Sequence, residues 1–204
     1  MTAGPTVHVI DDDEALRDSV RMFLGNEGLE VRTYASATDF LSALEAGPTG
    51  CIVTDVRMPG MSGMELLAHL AGRATALPVI VVTGHADVPL AVRAMKQGAV
   101  DLLEKPFRAD DLIGAVRRAL AYGRGPHQDE EEAAKEANAR RAALSARENE
   151  VLDRLIRGQP NKIIAYEMGI SPRTVEVHRA NVMKKTQARS LSELVRMFMS
   201  VERR

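Results

Sequence analysis

Residues 51–63 read CIVTDVRMPGMSG. Ile52, Val53 and Thr54 make a short β-branched run that ends on one carboxylate, Asp55. Pro59, Gly60 and Gly63 then mark a loop, and Met64, Glu65, Leu66 and Leu67 open a helical pattern. A run apolar on both faces and bounded by turn residues reads as a buried strand. A carboxylate at the tip of such a strand is held on a rigid support and faces solvent, which suits a reactive group. Asp is also common at ordinary strand-to-loop transitions, so the role of Asp55 depends on what else reaches the same place.

Outward from this stretch the pattern repeats. Strands are expected over 7–10, 29–33, 51–54, 79–82 and 100–103, with amphipathic helices between them. Leu16, Val20, Phe23 and Leu24 share one helical face; Phe40, Leu41 and Leu44 mark the second helix and Leu66, Leu67 and Leu70 the third. Val88, Val92 and Met95 mark the fourth, and Leu112, Val116, Ala119 and Leu120 the fifth. Gly28, Gly47, Gly72 and Gly98 stand where helices should stop. Strand–helix alternation predicts an α/β flavodoxin-like, doubly wound, five-stranded parallel sheet in the order 2-1-3-4-5.

The composition then shifts. Gly123-Arg124-Gly125-Pro126 should break the fifth helix, and residues 127–141 are polar, helix-prone and without an apolar face, as in a solvated linker. From Leu144 the pattern is helical and well punctuated. Ser145 and Glu148 form a capping box, Asn161 is read as a cap, Ser171 and Pro172 open a third helix to about Lys185, and Ser190 and Glu193 form another box. Four short helices with a Gly169-containing turn make a small all-α helix-turn-helix bundle. The expected division is 1–122, a linker over 123–143, and 144–204.

The net charge of −1 hides an asymmetry: residues 1–120 hold 16 acidic and 11 basic side chains, residues 144–204 hold 7 and 12, giving −5 and +5. The basic end suggests double-stranded DNA as a partner. Nothing approaches a membrane span and the first residues carry no secretory pattern, so a cytoplasmic protein with no membrane partner is expected. The lone Cys51 suits a reducing compartment and reads as a small buried hydrophobe.

In such a sheet the strand ends share one edge, which brings Asp11, Asp12 and Asp55 together with Thr83 and Lys105. Three carboxylates in one pocket repel and call for a cation, and oxygen ligands suit Mg²⁺ or Mn²⁺. Lys105 and the Thr83 hydroxyl can meet phosphoryl oxygens, leaving Asp55 as a nucleophile that forms an aspartyl phosphate. No nucleotide-binding glycine motif is present, so the phosphoryl group is expected to arrive on another protein.

VIDD at 9–12, TDVRMPG at 54–60, TGH at 83–85 and EKPF at 104–107 resemble the receiver domain of two-component response regulators. LSARENEVL from 144, NKIIAYEMGISPRTVEVHRANV from 161 and RSLSELV from 189 resemble the LuxR-type helix-turn-helix. Together they are similar to the NarL/FixJ family. The resemblance implies that Asp55 accepts phosphate from a sensor histidine kinase, with Thr83 as switch hydroxyl and Lys105 touching the phosphate. It implies Mg²⁺ held by Asp12, Asp55 and the Arg57 carbonyl, with Asp11 near the ion and Asp13 capping the first helix. Where many receivers carry a switching aromatic, this chain has Leu102.

On the third helix of the bundle, Glu176, Val177 and Ala180 fall where the resemblance places base readers. Glu at 176 would accept from cytosine, where many relatives have Lys. Lys162, Arg173, Thr174, Arg179, Lys184 and Lys185 are candidate phosphate contacts, and His178 shares their helix. The implied protein is no enzyme but a regulator that forms a homodimer when phosphorylated, with RNA polymerase a further candidate partner. It would activate genes of the low-oxygen or nitrogen-fixation type. Val88, Val92 and Lys96 are candidates for the dimer face; Leu16, Arg17, Val20, Pro106 and Phe107 are candidates for kinase docking. Two other classes compete: a metal-dependent phosphohydrolase with Asp55 as nucleophile, and a receiver used only as a protein-binding module.

Overall fold

The computed structural model describes residues 5–44, 49–71, 77–122 and 128–202. In chain order they form β1 (Thr6–Ile10), α1 (Glu14–Asn26), β2 (Glu30–Tyr34), α2 (Ala37–Ala43), β3 (Gly50–Asp55), α3 (Gly63–Leu70), β4 (Val79–Thr83), α4 (Val88–Lys96), β5 (Asp101–Glu104) and α5 (Ala109–Ala121). Five further helices follow: α6 (Gln128–Ala142), α7 (Ala146–Ile156), α8 (Asn161–Met168), α9 (Pro172–Thr186) and α10 (Leu191–Glu202). The expected stops at Gly47 and Gly72, and the break at residues 123–126, lie outside the described residues. Two compact units emerge: residues 1–86 with 96–125, and residues 87–95 with 126–204.

All strand pairings are parallel, in the order β2-β1-β3-β4-β5. Each strand agrees with its sequence pattern to within a residue or so at either end. The central strands β1, β3 and β4 are buried on both faces, whereas the charged edge strand β2 is half open. Val7, Val9, Cys51, Val53, Ile80, Val82 and Leu103 join Val20 and Leu24 of α1 and Leu112, Ala115, Val116 and Ala119 of α5 in one core. Strand alternation sends His8, Ile10 and Ile52 to the opposite face. There His8 stacks on Tyr34 and meets the edge of Phe40, and burial, then Arg32, lowers its pKa. Val20, a kinase-docking candidate, is a core residue; Leu16 and Phe107 pack against that core as half-buried neighbours.

The loop after Asp55 returns tightly. Ser62 and Glu65 cap α3 reciprocally, so the helix begins directly against the strand. Gly63 is the closest approach: a Cβ there would stand 2.1 Å from the Asp55 carbonyl oxygen and 3.0 Å from Thr54 Oγ1. No side chain fits between α3 and the strand that presents Asp55.

In the second unit Leu152, Leu155, Ile164, Val175, Val182 and Phe198 are buried in the core, and caps set the helix ends. Ser145 and Glu148 form the expected box, and Glu148 also receives Lys185 Nζ at 2.7 Å, tying α7 to α9. Those bonds, that of Lys185 first, bring the Glu148 acid down to about 2. Gly169, at φ 64°, ends α8 in the left-handed region, and Ser171 with Pro172 starts α9. Asn161 is not the cap: Pro160 holds that position and Asn161 is the first helical residue. At α10, Glu193 accepts the Arg189 N–H while Ser190 Oγ accepts from Glu193 N–H. The linker expectation also changes. Despite its polar sequence, α6 buries Ala137 and packs on α9 and α10 within the unit.

Two substitutions test these contacts. Gly63→Ala is expected to lower stability by about 1–3 kcal/mol through overpacking, read as a reduced urea midpoint. Glu148→Gln keeps the reach to Ser145 but loses the ionic bond, at a cost of about 1–2 kcal/mol at neutral pH. Since the folded pKa lies below the unfolded 4.5, this contribution is complete above pH 4.5 and vanishes as the pH falls towards 2. Melting curves of wild type and variant should therefore converge over that interval.

Candidate functional site

Strand register assembles the site. Ile10 pairs with Thr54, Asp55 with Val82, and Thr83 with Glu104. Residues from positions 11, 55, 83 and 105 consequently leave the sheet at the same level of one edge, although the chain spreads them over more than ninety residues.

At that edge Lys105 Nζ lies 2.7 Å from Asp11 Oδ2 and 2.6 Å from Asp55 Oδ1. Asp11 is 3% and Asp55 6% exposed. The second oxygen of each carboxylate is also engaged. Asp11 Oδ1 accepts the Asp13 N–H at 2.9 Å, and Asp55 Oδ2 accepts a short bond from the Arg57 N–H. Arg17 Nη1 donates to the Asp11 carbonyl at 2.7 Å, which ties this docking candidate to the pocket loop instead of leaving it free. Burial pushes the Asp11 acid up, against the pull of Lys105 and the Asp13 N–H. Burial draws the Lys105 ammonium down, but its bonds to Asp11 and Asp55 outweigh that and leave its pKa raised. One ammonium between two carboxylates leaves a local excess of negative charge, which a cation or a cationic ligand complex would relieve.

The donors fit a hard divalent ion: they are all oxygens, with no His or Cys among them. The arrangement differs from the expected trio, however. Among the described residues no three His, Cys, Asp or Glu side chains are gathered to hold a metal by themselves. Asp12 is exposed, while Asp11 and Asp55 close on Lys105. The physical reason is that Lys105 occupies the space between the two buried carboxylates and pairs with both. Asp13 caps α1, as expected, accepting from the Ala15 and Leu16 N–H groups.

Thr83 is 1% exposed, and its hydroxyl bonds within the β4–α4 loop, donating to the His85 carbonyl and accepting the His85 N–H, both at 3.2 Å. Glu104, quoted with EKPF but given no role of its own, accepts the Ala86 N–H at 3.1 Å and holds the same loop. No sequence signal marks this bond, because it depends on the β4–β5 register. Leu102 is buried, 4% exposed, and paired with Val81. Of the dimer-face candidates Lys96 is exposed, but Val88 and Val92 are each only 3% exposed and lie on no free surface here.

In the second unit, Val175 and Val182 bury one side of α9. Arg173, Glu176, Val177, Ala180 and Lys184 are exposed, as is Lys162 on α8, and Arg179 is partly so. Val177, 55% exposed on a charged helix, is an apolar contact left open. Three candidates are partly committed elsewhere. Lys185 pairs with Glu148, the Thr174 hydroxyl bonds Ser171 Oγ at 2.8 Å, and His178 turns a buried Nδ1 inward with no partner. These serve the packing of α9 before any ligand.

Residues 7–117 match the family described as response regulator receiver domain, and residues 142–198 match bacterial regulatory proteins, luxR family. Transcriptional regulatory protein FixJ of Azorhizobium caulinodans is 57% identical over 94% of this chain and 90% of its own. The C4-dicarboxylate transport transcriptional regulatory protein DctR of Rhodobacter capsulatus is 46% identical over 94% and 98%. The crystal structure of full-length FixJ from B. japonicum aligns over all of both chains at 48% identity and a TM-score of 0.56. Among the described residues no helix is long and apolar enough to cross a membrane. With a buried Asp–Lys–Asp edge in one unit and an exposed helix after a capped turn in the other, the chain belongs to the two-component response regulators that join a receiver domain to a LuxR-type DNA-binding domain.

Proposed function

We propose that Asp55 is the phosphoacceptor of this regulator and that its phosphorylation by a sensor histidine kinase controls DNA binding. The observation that carries the reading is Lys105 Nζ set between Asp11 and Asp55 at the strand ends. In the transfer an Asp55 oxygen bonds phosphorus as the phosphorus–nitrogen bond to the kinase imidazole breaks, and the imidazole leaves as the neutral base or takes a proton. Asp11, Asp12, Asp55 and the Arg57 carbonyl would hold Mg²⁺ or Mn²⁺, which supplies positive charge beside the phosphoryl oxygens. Lys105 exchanges one carboxylate for a phosphoryl oxygen. Thr83 gives up its bonds to His85 to donate to another, and the loop held by Glu104 follows.

The downstream consequence is a homodimer that reads a two-fold DNA site with α9. Lys96 is available for such a contact now; Val88 and Val92 would have to leave their buried setting first. The cytoplasm is the compartment this function requires. Genes of the low-oxygen or nitrogen-fixation type are the proposed targets, with activation as the outcome through RNA polymerase. A relative named for C4-dicarboxylate transport makes promoter mapping the deciding experiment.

Asp55→Asn should abolish an acid-labile phosphoryl label transferred from the cognate kinase, while the fold persists by circular dichroism. Persistent labelling of that variant would show that another residue is the acceptor. On the DNA side, Arg173→Ala and Arg179→Ala should weaken binding about evenly across sequences, each lowering the salt slope by about 1. Glu176→Gln should instead change base preference at one position, by about 1–3 kcal/mol, as read by selection from random duplexes.

A further inference from the structure

The end of α9 is held by a residue from the helix that leads into the unit. α9 stops without a glycine: Gln187 takes the left-handed conformation at φ 58°, which is costly for a residue with a Cβ. The Gln187 and Ala188 N–H groups turn back to the carbonyls of Lys184 and Met183, the pattern of a Schellman end. That leaves the last carbonyl, of Thr186, facing the interior, where Thr186 itself is fully buried. Arg140 of α6 fills the position. Its Nη1 donates to Thr186 O at 2.8 Å, its Nη2 pairs with Glu136 at 2.6 Å, and its side chain is three-quarters covered. A guanidinium at a helix C-terminus also answers the negative end of the helix dipole. One turn earlier Ala137 is 1% exposed, and one residue later Arg141 pairs with Asp153 of α7.

We infer that Arg140 is a positioning residue for DNA reading. It fixes the C-terminal end of α9, and with it the axial and rotational setting in which Glu176, Val177 and Ala180 meet base edges. Arg141, by contrast, only ties α6 to α7. The segment entering the unit is therefore a working part of the reading helix's support. The proposal rests on α9 being the reading helix, an assignment that loss of binding in Arg173→Ala tests separately.

The test uses the full chain and a duplex that the wild type selects from a random-sequence pool, with a scrambled duplex as reference. Arg140→Ala should lose about tenfold in affinity for the selected duplex, the cost of a single mismatched base pair, with little change on the scrambled one. Arg140→Lys, which keeps a charged donor, should recover much of that ratio. Arg141→Ala should lower the melting temperature and leave the ratio unchanged. A wild-type ratio in Arg140→Ala, at a melting temperature lowered like that of Arg141→Ala, would overturn the assignment. Should Arg140→Ala fail to fold, Arg140→Gln is read in its place: a reduced ratio supports the proposal and an unchanged one overturns it.

Discussion

One ammonium group between two buried carboxylates governs the first unit. Lys105 can meet both Asp11 and Asp55 only because three parallel strands end in register, and each strand stays in register because its apolar faces are covered on both sides. The pair would be a heavy burden without a cation, since buried like charges cannot both ionise cheaply. The arrangement is therefore satisfied but not neutral, which is what the proposed acceptance of a phosphoryl group at Asp55 would require. Thr83 and Glu104 continue the same logic one residue further along the edge, where they hold the β4–α4 loop by hydrogen bonds that a new oxygen ligand can compete for.

The second unit joins a buried apolar core, with Leu152, Leu155, Ile164, Val175, Val182 and Phe198 in it, to well-defined helix ends. Short helices gain little from propensity alone, and here caps at Ser145 and Ser171, the left-handed Gly169 and ion pairs between helices fix several of the ends. Glu148 serves its own helix and α9 at once, and Arg140 serves α6 and α9. The outer face of α9 stays open, with Arg173, Glu176, Val177 and Ala180 exposed, while Lys185 is paired with Glu148.

Much of this is legible from residue order. Alternating apolar runs and amphipathic stretches specify a doubly wound sheet, and the strand-end rule places positions 11, 55, 83 and 105 on one edge before any coordinates. The capping box at Ser145 follows from side chains that reach only three residues. Asn161 misleads because Pro160, also suited to the position before a helix, takes the cap. The polar stretch of α6 misleads because Ala137, Arg140 and Arg141 find partners that no apolar stripe announces.

What residue order determines by itself is what acts over a few positions or a regular period: strand and helix type, caps, and the order of the sheet. Tertiary structure alone decides what depends on register and side-chain reach. Asp12 stays outside while Asp11 closes on Lys105, and Val88 and Val92 turn inward. Glu104 finds a backbone N–H 18 residues away, and Arg140 finds a carbonyl 46 residues on. A periodic pattern names the buried face of an element; only packing says which charged group lies within three ångströms of another.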